Sequence, residues 1–114
     1  SSLFHSILKK AILSRIECQQ VDLQEANFQG SQLSDVDFTN SSLVGTYFEG
    51  ASLEKVSFKD SNLTNANFKN TVFKETDFSN SQVAKASFLN AQGLTSQQKE
   101  YLKDKGALDI PHDS

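Results

Sequence analysis

Residues 26–45 read ANFQG-SQLSD-VDFTN-SSLVG, four of the fourteen five-residue units that follow one another from residue 21 to residue 90. The third position of each unit, which we call the centre, holds a large apolar residue. The centres are Leu23, Phe28, Leu33, Phe38, Leu43, Phe48, Leu53, Phe58, Leu63, Phe68, Phe73, Phe78, Val83 and Phe88. The first, or leading, position always holds a small or β-branched residue. Because the register never slips, this repeat decides the fold.

The five-residue period excludes a plain helix and a plain strand for this stretch. Apolar residues recur every three or four positions in an amphipathic helix and every two in a half-buried strand. A period of five fits a chain that runs extended for about three residues and then turns a corner. Leading and centre residues then face inward together, while the outer position between them faces solvent. The repeat therefore predicts an all-β solenoid with the leading and centre residues in its core.

The last position of each unit has to form the corner, and it is mostly Gly, Asn or Asp. These residues adopt a positive φ and bond to nearby backbone more readily than others. Some units depart from this rule, and for them the sequence predicts turns without a positive φ. The corner residues of those units are Gln20, Glu25, Lys55, Glu75 and Lys85.

The pattern resembles the pentapeptide-repeat family, whose unit has a small or apolar residue, then Asp or Asn, then Leu or Phe, then two polar residues. Residues 36–40 (VDFTN) and 66–70 (ANFKN) match it closely, and the resemblance covers about residues 16–92. It implies a right-handed quadrilateral β-helix in which four units make one coil, with about four coils in all. Stacked in this way, the centres form two columns rich in Phe and two rich in Leu, disturbed by Phe73 and Val83.

The beginning of the chain has two interpretations. Residues 1–15 are predicted to form an N-terminal helical cap, because Leu3, Ile7 and Leu8 fall at helical spacing. An alternative stays open, since Leu3, Leu8 and Leu13 also keep the five-residue register. In that case these residues are extra repeat units.

The repeat domain is predicted to occupy residues 16–94, and a C-terminal helical cap and tail residues 95–114. Thr95 and Gln98 have the spacing of a capping box at a helix start, and Gly106 suits a helix stop. The apolar residues expected to cover the last coil are Leu94, Leu102, Leu108 and Ile110.

The sequence contains no constellation for catalysis or metal binding. Its one cysteine, Cys18, falls on a centre position, which is typical of a small buried hydrophobe. His5 and His112 lie in the flanking segments, away from any patterned acid. An uninterrupted repeat has no inserted loop that builds a cleft with perturbed pKa values. We therefore predict a protein that is not an enzyme, with no catalytic residues, no cofactor and no metal.

The surface offers weak candidates for contact with a partner: Tyr47, Lys55, Lys59, Lys69 and Lys74. An exposed Tyr can anchor a protein contact. The lysines lack the interleaved aromatic residues that bind single-stranded nucleic acid. The expected partner is another protein of unknown identity, with no nucleic acid and no membrane span, because no apolar run is long enough to cross a bilayer. The resemblance implies a monomer or a homodimer that pairs through the C-terminal ends.

These patterns favour a non-enzymatic structural or protein–protein interaction module. Some family members are DNA mimics that bind DNA gyrase or another type II topoisomerase and confer quinolone resistance. That alternative is disfavoured because the rod is short, free of loops and only mildly acidic, with a net charge of −3. A targeting or regulatory domain of a larger protein is a further alternative. The cytoplasm is the expected compartment, but a processed lumenal or periplasmic chain, or a segment of a larger protein, stays open because the sequence contains no Met.

Overall fold

The computed structural model describes residues 8–111 as a rod of parallel strands that ends in one helix. The elements are β1 (Ile12–Glu17), β2 (Gln32–Asp37), β3 (Ser52–Glu54), β4 (Val72–Lys74) and α1 (Ser96–Asp104). The strands pair in chain order, and each residue pairs with the residue 20 positions further on. One coil therefore contains four five-residue units. No helix within the described range is long and apolar enough to cross a membrane.

The same 20-residue register runs around the whole coil. Single bridges such as Asp22–Ser42, Asn27–Tyr47 and Asp37–Ser57 carry it beyond the four strands. The rod accordingly has four sides, which we name by their centres. Side A holds Leu13, Leu33, Leu53 and Phe73; side B holds Cys18, Phe38, Phe58 and Phe78; side C holds Leu23, Leu43, Leu63 and Val83; side D holds Leu8, Phe28, Phe48, Phe68 and Phe88.

The core is a narrow column filled by the centre and leading residues. All fourteen centres from Leu23 to Phe88 are at most 4% exposed. On side D the rings of successive coils stack with centroids 4.9–5.0 Å apart. On side B they stack at 5.5–5.6 Å, and edge contacts such as Phe48–Phe58 at 5.9 Å join the two stacks. Such stacked and edge-to-face geometry adds to the free energy gained by burial of the rings.

Every corner from Lys10 to Asn90 has a positive φ, between 51° and 70°. The prediction of turns without a positive φ was wrong for Gln20, Glu25, Lys55, Glu75 and Lys85, whose φ values are 51–61°. Each corner has to keep its coil in register with the next one. Backbone pairing between coils therefore imposes the left-handed conformation, although it costs about 1–2 kcal/mol at a residue with a long side chain.

The helix predicted within residues 1–15 is wrong for the part that the structure describes. Ile12–Glu17 forms β1, and the backbone N–H of Leu8 already donates to the Asn27 carbonyl at 2.7 Å. Lys10 is a corner with a φ of 60°. The alternative of extra repeat units therefore holds from Leu8 onward, because bonds to the next coil outweigh the helical spacing. Residues 1–7 lie outside the described residues.

The C-terminal helix begins where the sequence indicates, with Thr95 as N-cap and a complete capping box to Gln98. It packs across the ends of sides B and C. The Gln98 side chain donates to the Thr76 carbonyl at 2.6 Å, and the Tyr101 hydroxyl donates to the Ser81 carbonyl at 2.9 Å. Leu102 is completely buried in this contact.

The segment after α1 returns along side D. There the Leu108 N–H donates to the Ala86 carbonyl at 2.7 Å, and Leu108 is bridged to Ser87. Leu94 is buried over the last coil as expected, but Leu108 is 48% exposed. The expectation that Leu108 covers the coil was wrong, because its backbone pairs with side D and its side chain takes the outer position.

Candidate interaction surface

The reactive and ionisable side chains are scattered over the rod. Within residues 8–111 no cluster of three or more His, Cys, Asp or Glu side chains can hold a metal ion. The Cys18 thiol is half-buried in the first coil. Burial raises the pKa of Cys18, and the Asp37 carboxylate raises it further, so the thiol is neutral near pH 7.

The acids and amides at outer positions have a structural role. In each of six units the side-chain oxygen accepts the backbone N–H two residues further on, at 2.8–3.1 Å. The accepting residues are Asp22, Asn27, Asp37, Asn62, Asn67 and Asp77. This Asx contact fixes the next corner, which explains why the outer position favours Asp and Asn. The Thr39 side-chain hydroxyl also donates to Asp37; this bond is the main cause that lowers the pKa of Asp37, and burial partly opposes it.

The five residues singled out for partner contact lie on different parts of the rod. Tyr47 is an outer residue of side D, 42% exposed, and Lys69 follows the next centre on the same side. Lys74 lies on side A and forms an ion pair with Glu54 at 3.3 Å. Lys55 is the corner between sides A and B, and Lys59 lies on side B. The structure therefore brings Tyr47 and Lys69 onto one surface and separates the other three from it.

Exposed large apolar side chains occur on sides D and A. Among the described residues they are Ile12, Tyr47, Val72, Leu89 and Leu108. Tyr47, Leu89 and Leu108 belong to side D, and the other two belong to side A. The period placed Tyr47 and Leu89 on the surface of one side. It gave no signal for Leu108, because the return of the tail depends on how α1 packs.

The charges on side D differ from those on side A. Between residues 26 and 90 the outer surface of side D carries one acid and one lysine, Glu49 and Lys69, on successive coils of the same column. The Gln29 side-chain amide donates to Glu49 at 3.2 Å. Lys69 has no ion pair with any residue that the structure describes. On side A the equivalent pair, Glu54 and Lys74, is joined within the chain.

A groove lies at the C-terminal end, between α1 and residues 107–111. It encloses about 510 Å³ and is open to solvent. Lys99 and Lys103 line it from the helix, and Leu108 and Ile110 line it from the tail. This groove is next to the end of side D and has a mixed charged and apolar lining.

The five-residue repeat of this rod matches a known protein family. The family model for pentapeptide repeats matches in 8 copies, over residues 2–40, 31–70, 41–80 and 51–90. The chain belongs to the pentapeptide-repeat family. No curated protein sequence matches it. Proteins of this family are generally structural or interaction modules.

Solved structures of other pentapeptide-repeat proteins are similar to this one. A protein from Nostoc Pcc 7120 is 16% identical with a TM-score of 0.51, and the match covers 93% of this chain and 82% of that chain. One from the Arabidopsis thaliana thylakoid lumen is 26% identical with a TM-score of 0.39, covering 93% and 71%. QnrB1, a plasmid-mediated fluoroquinolone resistance protein, is 17% identical with a TM-score of 0.45, covering 91% and 70%. The similarity to the Nostoc protein supports the shared fold.

Proposed function

We propose that this pentapeptide-repeat protein is a non-catalytic interaction module, a rod of about four coils that binds another protein on side D. The observation that carries the proposal is that side D has more exposed large apolar side chains than any other side of the described rod. Tyr47, Leu89 and Leu108 account for three of the five large apolar side chains exposed among the described residues.

Side D is also a rigid surface. The stacked rings of Phe28, Phe48, Phe68 and Phe88 lie directly beneath it, and backbone pairing holds each coil to the next. A preorganised surface loses little conformational entropy when it binds. Tyr47 stands where the repeat usually has Asp or Asn and makes no Asx contact, so its side chain is available as an anchor.

The test is a pull-down from cell extract in which the captured protein is followed across matched variants. Tyr47→Asn and Leu89→Ser remove the apolar side chains of side D, and Val72→Ser makes an equivalent change on side A. We expect the first two variants to lose the captured protein and the third to retain it. Capture that survives in all three variants, or that is lost equally in all three, contradicts the proposal.

A second candidate is DNA mimicry toward a type II topoisomerase. The observation in its favour is that side B carries Glu17, Asp37 and Asp77 in one outer column, with Asp60 at a neighbouring corner. Lys59 interrupts this acidic side, so it ranks below side D. A supercoiling assay with purified DNA gyrase tests it. Absence of both inhibition and protection from quinolones removes the candidate.

A further inference from the structure

We infer that side D is a self-association surface, on which a second copy of this chain packs with its rod antiparallel to the first. The inference rests on the proposed function, because it uses the same surface and names the partner. An isologous interface needs a self-complementary surface, in which each group meets an attractive group of the other copy across a two-fold axis. Side D has the required arrangement of charges.

Glu49 and Lys69, the two charges on the outer surface of side D between residues 26 and 90, are not paired with each other within one chain. Glu49 accepts the hydrogen bond from Gln29, and Lys69 has no ion pair with any described residue. The identical spacing on side A gives an ion pair, with Glu54 and Lys74 at 3.3 Å. The carboxylate and the ammonium group of side D are therefore both available to a second copy.

The position of the two-fold axis follows from these charges. We call the part of side D that one coil contributes a rung. An axis that crosses side D midway between the rungs of Phe48 and Phe68 turns Glu49 of each copy toward Lys69 of the other. Tyr47 of each copy then lies over Asn67 of the other. An axis through the Phe48 rung places Glu49 against Glu49, and one through the Phe68 rung places Lys69 against Lys69. Like charges in contact disfavour both of those positions.

The size of side D sets the expected strength of association. Four rungs at about 4.8 Å each, on a rod about 20 Å wide, give about 400 Å² per copy. Two copies then bury less surface than standard specific interfaces do, which is typical of weak and transient contacts. We expect a monomer–dimer equilibrium that depends on protein concentration and weakens as salt screens the two ion pairs.

Sedimentation velocity over a concentration series at low salt tests the inference. Glu49→Lys and Lys69→Glu each place like charges across the axis twice. Each single variant should raise the dimer dissociation constant about tenfold. The double variant exchanges the charges, restores both ion pairs and should return the constant close to that of the wild type.

The matched controls lie on side A. Glu54→Lys changes the net charge by the same amount as Glu49→Lys, and Glu54→Lys with Lys74→Glu repeats the exchange at the same spacing. Both controls should leave the dissociation constant unchanged. Circular dichroism of every variant verifies the fold.

Three outcomes overturn the inference. The first is a wild-type protein that stays monomeric at every concentration. The second is a control on side A that weakens association as much as Glu49→Lys does. The third is association that Lys103→Glu on α1 abolishes while both charge variants of side D leave it intact, which indicates pairing through the C-terminal ends. If a monomeric wild type still captures another protein in a Tyr47-dependent manner, the proposed function stands and only self-association fails.

Discussion

Side A and side D follow the same five-residue repeat, yet their corners are built differently. On side D a β-turn bond closes each corner, from the N–H of the next leading residue to the centre carbonyl. Examples are Ala51 to Phe48 at 3.0 Å and Thr71 to Phe68 at 3.2 Å. On side A the chain runs as β-strand, and the corners after Leu53 and Phe73 lack that bond within the described range.

The outer positions explain part of this difference. On side D, Asn27 and Asn67 accept the N–H two residues further on and so prepare the turn. On side A the outer residues are Ile12, Gln32, Ser52, Val72 and Gln92. None of these is Asp or Asn, and pairing with neighbouring coils holds the corner instead. A pentapeptide repeat therefore tolerates two kinds of corner, because the register between coils is common to both.

The largest expected effect comes from a cavity in the core beneath side D. Phe68 stacks on Phe48 at 5.0 Å and on Phe88 at 4.9 Å, and it is completely buried. Phe68→Ala should lower the free energy of unfolding by about 3–5 kcal/mol, since a narrow column has little freedom to collapse around the cavity. Urea unfolding measures the change. Lys69→Ala, next in sequence but exposed, is the control and should cost almost nothing. Equal midpoints for Phe68→Ala and wild type would refute the inward assignment.

The next effect concerns Gly93, which takes the final centre position of side A, where the repeat ends. A Cβ on Gly93 would lie 1.8 Å from the Phe73 carbonyl oxygen, and its φ is +89°. Gly93→Ala should therefore displace the chain that leads into α1 and destabilise the protein by about 2–3 kcal/mol. The control is Gly50→Ala at a corner of side D, where a Cβ meets nothing within 4 Å. Gly50→Ala should lower the free energy of unfolding only by the cost of a positive φ at Ala, about 1 kcal/mol. Similar losses of stability in the two variants contradict the prediction.

Much of the fold could be predicted from the sequence because the repeat encodes burial directly. A large apolar residue such as Phe48 stands at the centre position of every unit, so its inward orientation follows from the period alone. The capping box at Thr95 could be recognised because its chemistry is local to a few residues. The exposure of Tyr47 could also be predicted, since it takes the outer position of its unit, whereas its role in partner contact stays a prediction.

The remaining features depend on contacts between coils, which local patterns do not encode. Ile12 has helical spacing to its neighbours but pairs with Gln32 as strand. Glu75 disfavours a positive φ, yet its φ is 51° because the coil has to close. Leu108 became an outer residue of side D only through the packing of the preceding helix. In each case interactions at long sequence separation override a local preference.

A smaller effect sharpens the contrast between the outer positions of the two sides. Asn67→Ala on side D leaves the Lys69 backbone N–H without its 3.0 Å acceptor. It should cost about 1 kcal/mol, the usual net contribution of such a bond. Ser52→Ala on side A removes no such contact and should stay within about 0.5 kcal/mol of wild type. Thermal unfolding of both variants measures the difference, and equal losses would show that Asx contacts do not distinguish the sides.

The smallest effect concerns the corner that ends side A. Lys55 has a φ of 54°, and the neighbouring coils place Asp35 and Glu75 at the same corner. Lys55→Asn should relieve backbone strain but remove attraction to both acids, for a net gain near zero, since each exposed pair contributes about 0.3–0.5 kcal/mol. Lys85→Asn is the matched change at a corner whose preceding neighbour is the uncharged Asn65. It should stabilise the protein by about 0.5–1 kcal/mol. Chemical unfolding measures the free energy of unfolding of the two variants. The difference between their gains is the contribution of the attraction between Lys55 and the two acids, and equal gains would mean that this attraction contributes nothing.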